Sequence, residues 1–133
     1  MAHETVKTAA QMVAEAKGRL EQLSPDAVAA EVQAGKAVLI DLREPAERAQ
    51  NGTIAGAVHA PRGMLEFYAD PTSPYHRAEF DPNRRTILHC ASGGRSALAA
   101  DTLRQLGYSD VAHLEGGLNA WKETGHPVEE SKA

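Results

Sequence analysis

A chain of 133 residues is long enough for one domain whose core needs neither a disulfide nor a metal. Its formal net charge of -4 argues against nucleic acid or an anionic membrane surface as the main partner. Its single cysteine leaves no disulfide to form within the chain, which suits a reducing compartment and a thiol used for chemistry.

Membrane and secretory segments are not predicted. No stretch approaches the ~20 apolar residues of a membrane span. Glu4, Lys7 and Glu15 interrupt the N-terminal region, where a secretory signal would need an unbroken apolar run. We therefore expect a soluble cytoplasmic protein with no membrane partner.

The first predicted element is a helix over residues 4 to 23, where apolar or small residues recur at heptad spacing. The stripe is too short for a coiled coil, so we expect this helix to dock on the domain rather than to dimerise. Ser24 and Pro25 restart the chain as an N-cap and a first-turn proline, and Gly35 ends the second helix.

Residues 37 to 42 form a nearly continuous apolar run, which is typical of a strand covered on both faces in a parallel sheet. A repeated helix-to-strand order predicts an α/β fold. Asp41 and Arg43 follow at the C-terminal end of the strand, the edge where sites form in open α/β sheets. The residues alone leave two interpretations open: groups that shape a pocket, or an N-cap and a surface ion pair worth at most about 1 kcal/mol.

A short helix and a second strand are predicted next. Residues 45 to 50 fit the helix, Asn51 and Gly52 fit a turn, and residues 57 to 60 fit a strand that Pro61 closes.

Residues 62 to 83 are the least regular part of the chain. Single helical turns are predicted at residues 64 to 68 and 73 to 76, anchored by aromatic side chains. Two interpretations are equally supported: a segment that wraps near the functional site, or a packed surface loop without a function.

The only cysteine follows the next predicted strand and precedes a helix predicted over residues 96 to 106, which Gly107 ends. The loop consists of Cys90, Ala91, Ser92, Gly93, Gly94, Arg95 and Ser96. Its two glycines allow the backbone N–H groups to point toward one position at the helix N-terminus, where Ser96 is expected to help cap the first turn. A sulfur there meets positive potential, to which Arg95 adds a charge, and this favours the nucleophilic thiolate.

A lone cysteine is more often a small buried apolar residue. The Ser-Gly-Gly-Arg-Ser sequence that follows Cys90 favours the nucleophile instead.

A last strand is predicted over residues 110 to 114, and a last helix over residues 118 to 124. Trp121 is expected to pack this helix onto the sheet. The tail from Val128 onward is polar and is expected to be loose.

Metal and nucleotide sites are not predicted. The six histidines show no ligand spacing and no second cysteine exists, so we expect no metal and no cofactor. Gly116 and Gly117 are not part of a dinucleotide fingerprint, and the chain contains no P-loop. His89 points to the face of its strand opposite Cys90, which makes it a poor general base for a protease-like mechanism.

Four ordered motifs resemble the rhodanese family. They are residues 39 to 47, 52 to 58, 90 to 96, and 115 to 121 with 125 to 128. The resemblance implies a three-layer α/β fold with a central five-stranded parallel sheet flanked by helices. It also implies three segments, namely an N-terminal helical extension at 1 to 23, a rhodanese domain at 24 to 129 and a flexible tail at 130 to 133.

The resemblance implies a sulfurtransferase. The family's loop cysteine accepts a sulfane sulfur, commonly from thiosulfate, and passes it as a persulfide to a thiophilic acceptor such as cyanide or a thiol. By this resemblance Cys90 is the persulfide-forming nucleophile, and the backbone from Ala91 to Arg95 holds the terminal sulfur. Arg95 matches the family's loop arginine, whose fork suits the sulfonate end of thiosulfate. Asp41 and Arg43 match the family's Asp-x-Arg and are expected to support the loop.

Loop length separates two activities that share this architecture. Related dual-specificity phosphatases carry one more residue between cysteine and arginine, which makes room for a phosphate. Cys90 to Arg95 is six residues inclusive, the sulfurtransferase length, which disfavours a phosphatase or an arsenate reductase.

The sequence also departs from the family pattern. Thr53 stands where the family often has histidine, and the loop is neutral apart from Arg95, so thiosulfate can be a surrogate donor. The alternative function is therefore a persulfide relay or regulatory module that docks on a protein partner through residues 4 to 23 or 62 to 83.

Overall fold

The computed structural model describes residues 6 to 131, which fold around one sheet of five parallel strands in the order β1-β5-β4-β2-β3. The strands are β1 Glu21–Leu23, β2 Val38–Asp41, β3 Val58–His59, β4 Thr86–His89 and β5 Val111–Leu114. The α-helices of this part are α1 Ala9–Lys17, α2 Pro25–Gln33, α3 Pro45–Asn51, α4 Leu65–Ala69, α5 Gly94–Gln105 and α6 Gly117–Glu123. The predicted α/β fold with a five-stranded parallel sheet is confirmed.

The central strands are apolar because both faces of the sheet are covered. All four residues of β2 and of β4 are buried. Ile40 and Leu88 point into a core with Leu103 of α5, whereas Leu39 and Ile87 point into a core on the other face. Each strand therefore supplies side chains to two cores in alternation.

Trp121 of α6 packs in the second core, as predicted. Its indole N–H donates a hydrogen bond to the carbonyl oxygen of Pro127 at 2.9 Å. Thr53 and Glu129 exchange two backbone hydrogen bonds of 2.8 Å each, so the chain is held as far as Glu129. The expectation that the tail is loose from Val128 onward is wrong for these first two residues, because the partner strand segment lies far away in sequence.

The predicted helix over residues 4 to 23 is wrong in its last part. Helix α1 ends at Lys17, and Glu21–Leu23 forms the edge strand β1, which pairs in parallel with β5. A strand of three residues is too short to show its period in the sequence. Residues 4 and 5 lie outside the described part, and the domain boundary at residue 24 stays a prediction.

Helix α1 docks on the domain, as predicted. It packs against α5, and after the helix the Arg19 guanidinium binds the Asp101 carboxylate through two hydrogen bonds of 3.0 and 2.8 Å. A methyl group on Gly94 would lie 3.9 Å from Val13 of α1. Helix α1 therefore lies beside the start of α5 and the loop that precedes it.

Residues 62 to 83 begin at the C-terminal edge of the sheet and cross one of its faces toward the N-terminal end of β4. A 3₁₀ turn at Arg62–Met64 leads into α4, and Phe80 is buried in the first core. The second predicted helical turn is a single turn in which His76 N–H donates to the Ser73 carbonyl oxygen at 3.2 Å. The Arg62 N–H binds the carbonyl oxygen of Leu42, just after β2. The role of this segment stays a prediction.

Candidate active site

Cys90 lies directly after β4, where the loop turns into α5. Gly93 precedes the helix with a φ of 105°, a conformation that favours glycine. This turn brings the Gly93 N–H within 3.1 Å of the Cys90 sulfur, to which it donates a hydrogen bond. Cys90 is 1% exposed and free of any disulfide. The structure therefore places the thiol at the N-terminus of a helix, as the sequence predicted for this loop.

Ser96 does not cap α5, so that expectation is wrong. The helix begins at Gly94, with Gly93 as its N-cap, which puts Ser96 inside the first turn. Its buried hydroxyl oxygen lies 3.6 Å from the Cys90 sulfur and 2.8 Å from Nδ1 of His113 on β5. The sequence contains no local signal for this contact, because His113 comes from another strand.

The N-terminus of α6 hydrogen-bonds the backbone of the cysteine loop. The N–H groups of Leu118 and Asn119 donate to the carbonyl oxygens of Cys90 and Ala91 at 2.9 and 3.0 Å. A Cβ on Gly117 would lie 2.5 Å from the Ala91 carbonyl group, so only glycine allows this approach. This role was missed in the sequence.

One signal for it was present. A Gly-Gly pair begins a helix at two places, as the N-cap and first residue of α5 (Gly93-Gly94) and of α6 (Gly116-Gly117). The N-cap glycine of α6, Gly116, has a φ of 76°. Two strand-to-helix junctions of the same composition, on neighbouring strands, meet at one edge of the sheet.

Arg95 is held by Glu47 of α3. Its two terminal nitrogens donate to the two carboxylate oxygens, both at 2.7 Å. These hydrogen bonds lower the pKa of Glu47 to about 2. The same contact, and to a smaller extent the nearby Cys90 sulfur, raises the pKa of Arg95. The positive charge of Arg95 thus lies near the sulfur, but its two terminal nitrogens bind Glu47, a residue that the sequence did not single out.

Asp41 and Arg43 form a fully buried pair, so they are not a surface ion pair. Nε and Nη2 of Arg43 donate to the two carboxylate oxygens at 3.0 and 2.9 Å, and Arg48 donates to Asp41 at 3.0 Å. Burial opposes the charge of Asp41, but hydrogen bonds from Arg43 hold the pKa of Asp41 below its usual value. Arg43 also donates to the Gly52 carbonyl oxygen at 2.8 Å.

The contacts of the pair reach the cysteine loop only through other residues. It ties the end of β2 to the turn after α3, the helix that carries Glu47 and thereby Arg95. His89, the residue before Cys90, lies 3.8 Å from Asp41, and burial lowers the pKa of His89 to about 4. Nε2 of His89 and Nη1 of Arg43 are buried without a hydrogen-bond partner among the described residues.

No metal or membrane element is found in the part of the chain that the structure describes. Between residues 6 and 131, no three His, Cys, Asp or Glu side chains converge so that they could hold a metal ion. The helices of that range are too short or too polar to cross a bilayer.

Comparison with known proteins identifies the family of this site. Residues 24–124 match the model of the rhodanese-like domain. Thiosulfate sulfurtransferase GlpE from Stutzerimonas stutzeri is 33% identical over 104 residues, which cover 78% of this chain and 86% of that protein. An uncharacterized protein from a Synechocystis strain is 37% identical over 95 residues, covering 71% of this chain and 48% of its own length. This chain thus spans about half the length of that curated relative.

A solved structure from Rhodopseudomonas palustris shares the fold over nearly its whole length. The TM-score is 0.88 at 39% identity, and the match covers 93% of this chain and 96% of that one. That protein is described as being of unknown function and a possible tyrosine phosphatase. The predicted resemblance is confirmed, and this chain belongs to the rhodanese-like domain family, whose members include sulfurtransferases.

Proposed function

We propose that this chain is a sulfurtransferase that moves a sulfane sulfur from a donor such as thiosulfate to a thiophilic acceptor, cyanide or a thiol. The observation that carries the proposal is the position of the only cysteine. Its sulfur lies at the N-terminus of α5 and accepts the Gly93 N–H at 3.1 Å, within a loop of six residues from Cys90 to Arg95.

The reaction divides into two displacements at sulfur. The Cys90 thiolate attacks the outer sulfur of thiosulfate, the S–S bond of the donor breaks, and sulfite leaves with the electron pair. The acceptor then attacks the terminal sulfur of the Cys90 persulfide, and Cys90 leaves as a thiolate. Backbone N–H groups of residues 91 to 95 and the N-terminus of α5 stabilise the negative sulfur in both steps.

The supporting residues hold this loop without taking part in the bond changes. Arg95 supplies a positive charge beside the sulfur, while Glu47 fixes the direction of its guanidinium. Asp41 and Arg43 brace the end of β2 and the turn at Gly52. We assign the protein to the cytoplasm, because its single thiol has to stay reduced to act as a nucleophile.

A second candidate is a persulfide relay between proteins with little turnover of free thiosulfate. One observation favours it: the fork of Arg95 that would bind a sulfonate is engaged by Glu47 at 2.7 Å. The loop offers no other charged side chain between Ala91 and Ser96. A protein thiol or a protein persulfide needs no sulfonate site, so such a partner suits this loop.

Phosphatase activity is the less favoured alternative. A loop of six residues from Cys90 to Arg95 is one residue shorter than the related phosphatase loop, so it leaves less room for a tetrahedral phosphate. The possible phosphatase role described for the Rhodopseudomonas palustris protein makes this alternative worth a direct measurement.

The test follows the sulfur on Cys90. Thiosulfate should increase the intact mass of the protein by one sulfur atom, and cyanide should then remove it as thiocyanate. Cys90→Ser should lose both reactions while its circular dichroism spectrum is retained. Sulfur transfer that persists in Cys90→Ser would refute the mechanism.

The alternatives are separated with the same preparation. Slow sulfur gain from thiosulfate with fast gain from a protein persulfide would favour the relay. Steady, Cys90-dependent hydrolysis of an aryl phosphate would favour the phosphatase and contradict the loop-length argument.

A further inference from the structure

Polar side chains form a hydrogen-bonded chain behind the Cys90 sulfur. The sulfur lies 3.6 Å from Ser96 Oγ, which lies 2.8 Å from Nδ1 of His113. Nε2 of His113 lies 3.2 Å from Oε1 of Gln22 on the edge strand β1. Cys90, Ser96 and His113 are buried, whereas Gln22 is exposed. The chain therefore connects the buried sulfur to the surface of the molecule.

The hydrogens of this chain run in one direction when Cys90 is a thiol. When Oε1 of Gln22 faces Nε2 of His113, that nitrogen carries the ring hydrogen and Nδ1 is an acceptor. The Ser96 hydroxyl then donates to Nδ1 at 2.8 Å, with the Gly93 carbonyl oxygen as a longer alternative acceptor at 3.3 Å, and its oxygen accepts the hydrogen of the Cys90 thiol. In this arrangement Ser96 gives no hydrogen bond to a negatively charged sulfur.

We infer that Ser96, His113 and Gln22 form a hydrogen-bond chain whose direction is reversible. The hydroxyl hydrogen of Ser96 points to His113 while Cys90 is a thiol, and it points to the sulfur when Cys90 is a thiolate. The inference rests on the proposed function, since it assigns how the nucleophile of that function is formed and held. Ser96 contacts the reacting sulfur, and His113 acts through Ser96 as a positioning residue.

The ionisation step balances along the chain. The S–H bond of Cys90 breaks and its proton binds Ser96 Oγ, while the former hydroxyl proton of Ser96 moves to Nδ1 of His113. Nε2 of His113 releases its proton to water beside Gln22. The sulfur keeps the electron pair, the imidazole is neutral before and after, and one proton leaves the protein.

Each hydrogen bond then points the other way. The Ser96 hydroxyl donates to the thiolate, and Nδ1–H of His113 donates to Ser96 Oγ. A half-turn of the Gln22 amide brings its NH₂ group to Nε2. With the Gly93 N–H at 3.1 Å, the thiolate then accepts two directed hydrogen bonds.

The surroundings allow the proton to pass through His113 but not to stay there. Burial, and to a smaller extent Lys17 of α1, lowers the pKa of His113 to about 4, so the doubly protonated ring does not accumulate at neutral pH. The other ionisable groups around Cys90 are Arg95, whose charge is bound by Glu47, and His89, which faces Asp41. The Ser96 hydroxyl oxygen lies 3.6 Å from the sulfur, and Arg95 also interacts with it through its side chain.

The test measures the ionisation of Cys90 by the ultraviolet absorbance of the thiolate. The protein contains no other cysteine, so this absorbance reports Cys90 alone. Cys90→Ser supplies the blank across a pH series. Ser96→Ala removes the hydroxyl donor, and it should shift the ionisation curve upward by about one pH unit. Ser96→Thr keeps a hydroxyl and should restore the original curve.

Gln22→Glu tests the direction of the chain from its exposed end. A carboxylate only accepts, so it holds the hydrogen on Nε2 of His113 and keeps the Ser96 hydroxyl turned away from the sulfur. This variant should also shift the curve upward by about one pH unit. In the Ser96→Ala background the same substitution should add nothing, because the group that it acts through is gone.

A matched control separates hydrogen-bond direction from charge. Glu21→Gln changes the charge of the same strand by one unit in the opposite sense and should leave the ionisation curve of Cys90 in place, whereas an effect of strand charge alone would shift it downward. An unchanged curve in Ser96→Ala, or shifts that add up in the double variant with Gln22→Glu, would overturn the inference.

The outcome is independent of sulfur transfer, because no donor is present in the titration. A protein that shows these shifts but gains no sulfur from thiosulfate would overturn the proposed function for that donor and leave the chain of hydrogen bonds in place. If the protein gains sulfur from thiosulfate but the variants leave the ionisation curve of Cys90 unshifted, the proposed function stands and the inference about the hydrogen bonds is overturned.

Discussion

Asp41 shows how a single residue can be correctly located in the sequence while its surroundings are not. Its position after an apolar strand identified the sheet edge, but the alternatives of a pocket residue and a surface pair could not be separated there. In the fold, the carboxylate is fully buried and binds the guanidinium groups of Arg43 and Arg48. Their charges compensate each other in a place that water cannot reach.

We therefore expect Asp41→Asn to destabilise the protein strongly. The change leaves the charge of Arg43 buried without a carboxylate, and breaking such a pair costs about 3–5 kcal/mol of unfolding free energy. Glu66→Gln is the matched control, because the Arg62–Glu66 pair is largely exposed and is worth less than about 0.5 kcal/mol. Urea unfolding of both variants measures the difference, and equal losses would contradict the assignment of Asp41 as a buried support.

At the scale of elements, the site is a meeting of two strand-to-helix junctions. The cysteine loop joins strand β4 to helix α5, and helix α6, which follows strand β5, supplies the N–H groups that bind the carbonyl oxygens of this loop. Gly117 stands at the closest approach, with a φ of 60°. The loop is therefore shaped by a second helix as well as by the one that it precedes.

Gly117→Ala should destabilise the protein and also displace the loop. The new Cβ would lie 2.5 Å from the Ala91 carbonyl group, so overpacking adds about 1–3 kcal/mol to the conformational strain. Gly125→Ala is the matched control, because it has a φ of 83° and nothing within 4 Å of the added Cβ. Urea unfolding gives the stabilities, and thiosulfate-dependent mass gain reports the loop. Similar behaviour of the two variants would show that the contact with Ala91 does not shape the loop.

At the scale of the whole molecule, two buried histidines make the fold sensitive to mild acid. His89 and His113 lie on neighbouring strands, and burial lowers the pKa of each to about 4. In the unfolded chain their pKa returns to about 6.5. Between these values the unfolded state binds more protons than the folded state, so stability is full above the higher value and falls as pH falls toward the lower one.

We expect the unfolding free energy to decrease between about pH 6.5 and pH 4, by up to about 3 kcal/mol for each histidine. His89→Asn should lose roughly half of this pH dependence, because one of the two buried rings is gone. Glu47, whose pKa is held at about 2, stabilises the fold above the ordinary glutamate pKa and adds its own loss only at lower pH. Urea unfolding across a pH series checks the slope. A variant with the original slope would exclude His89 as its source.

The features that local pattern controls could be read from the sequence. The apolar runs of β2 and β4 indicated covered strands, glycines and prolines marked the ends of most helices, and the only cysteine stood at a glycine-containing junction. Each of these signals depends on neighbours within a few residues. The helix after the cysteine was predicted two residues late, because Ser96 looks like a cap when only its neighbours are known.

The features that depend on distant partners became visible only in the folded chain. The strand β1 exists because β5 offers it an edge, and Glu47 belongs to the site because α3 turns it toward Arg95. The Ser96 side chain is buried against His113, which lies on the neighbouring strand β5. The sequence by itself determined the α/β architecture and the position of the cysteine at a strand-to-helix junction, since both follow from local period and composition. The tertiary structure decided which groups contact that cysteine and its loop, because their contacts join residues that lie far apart along the chain.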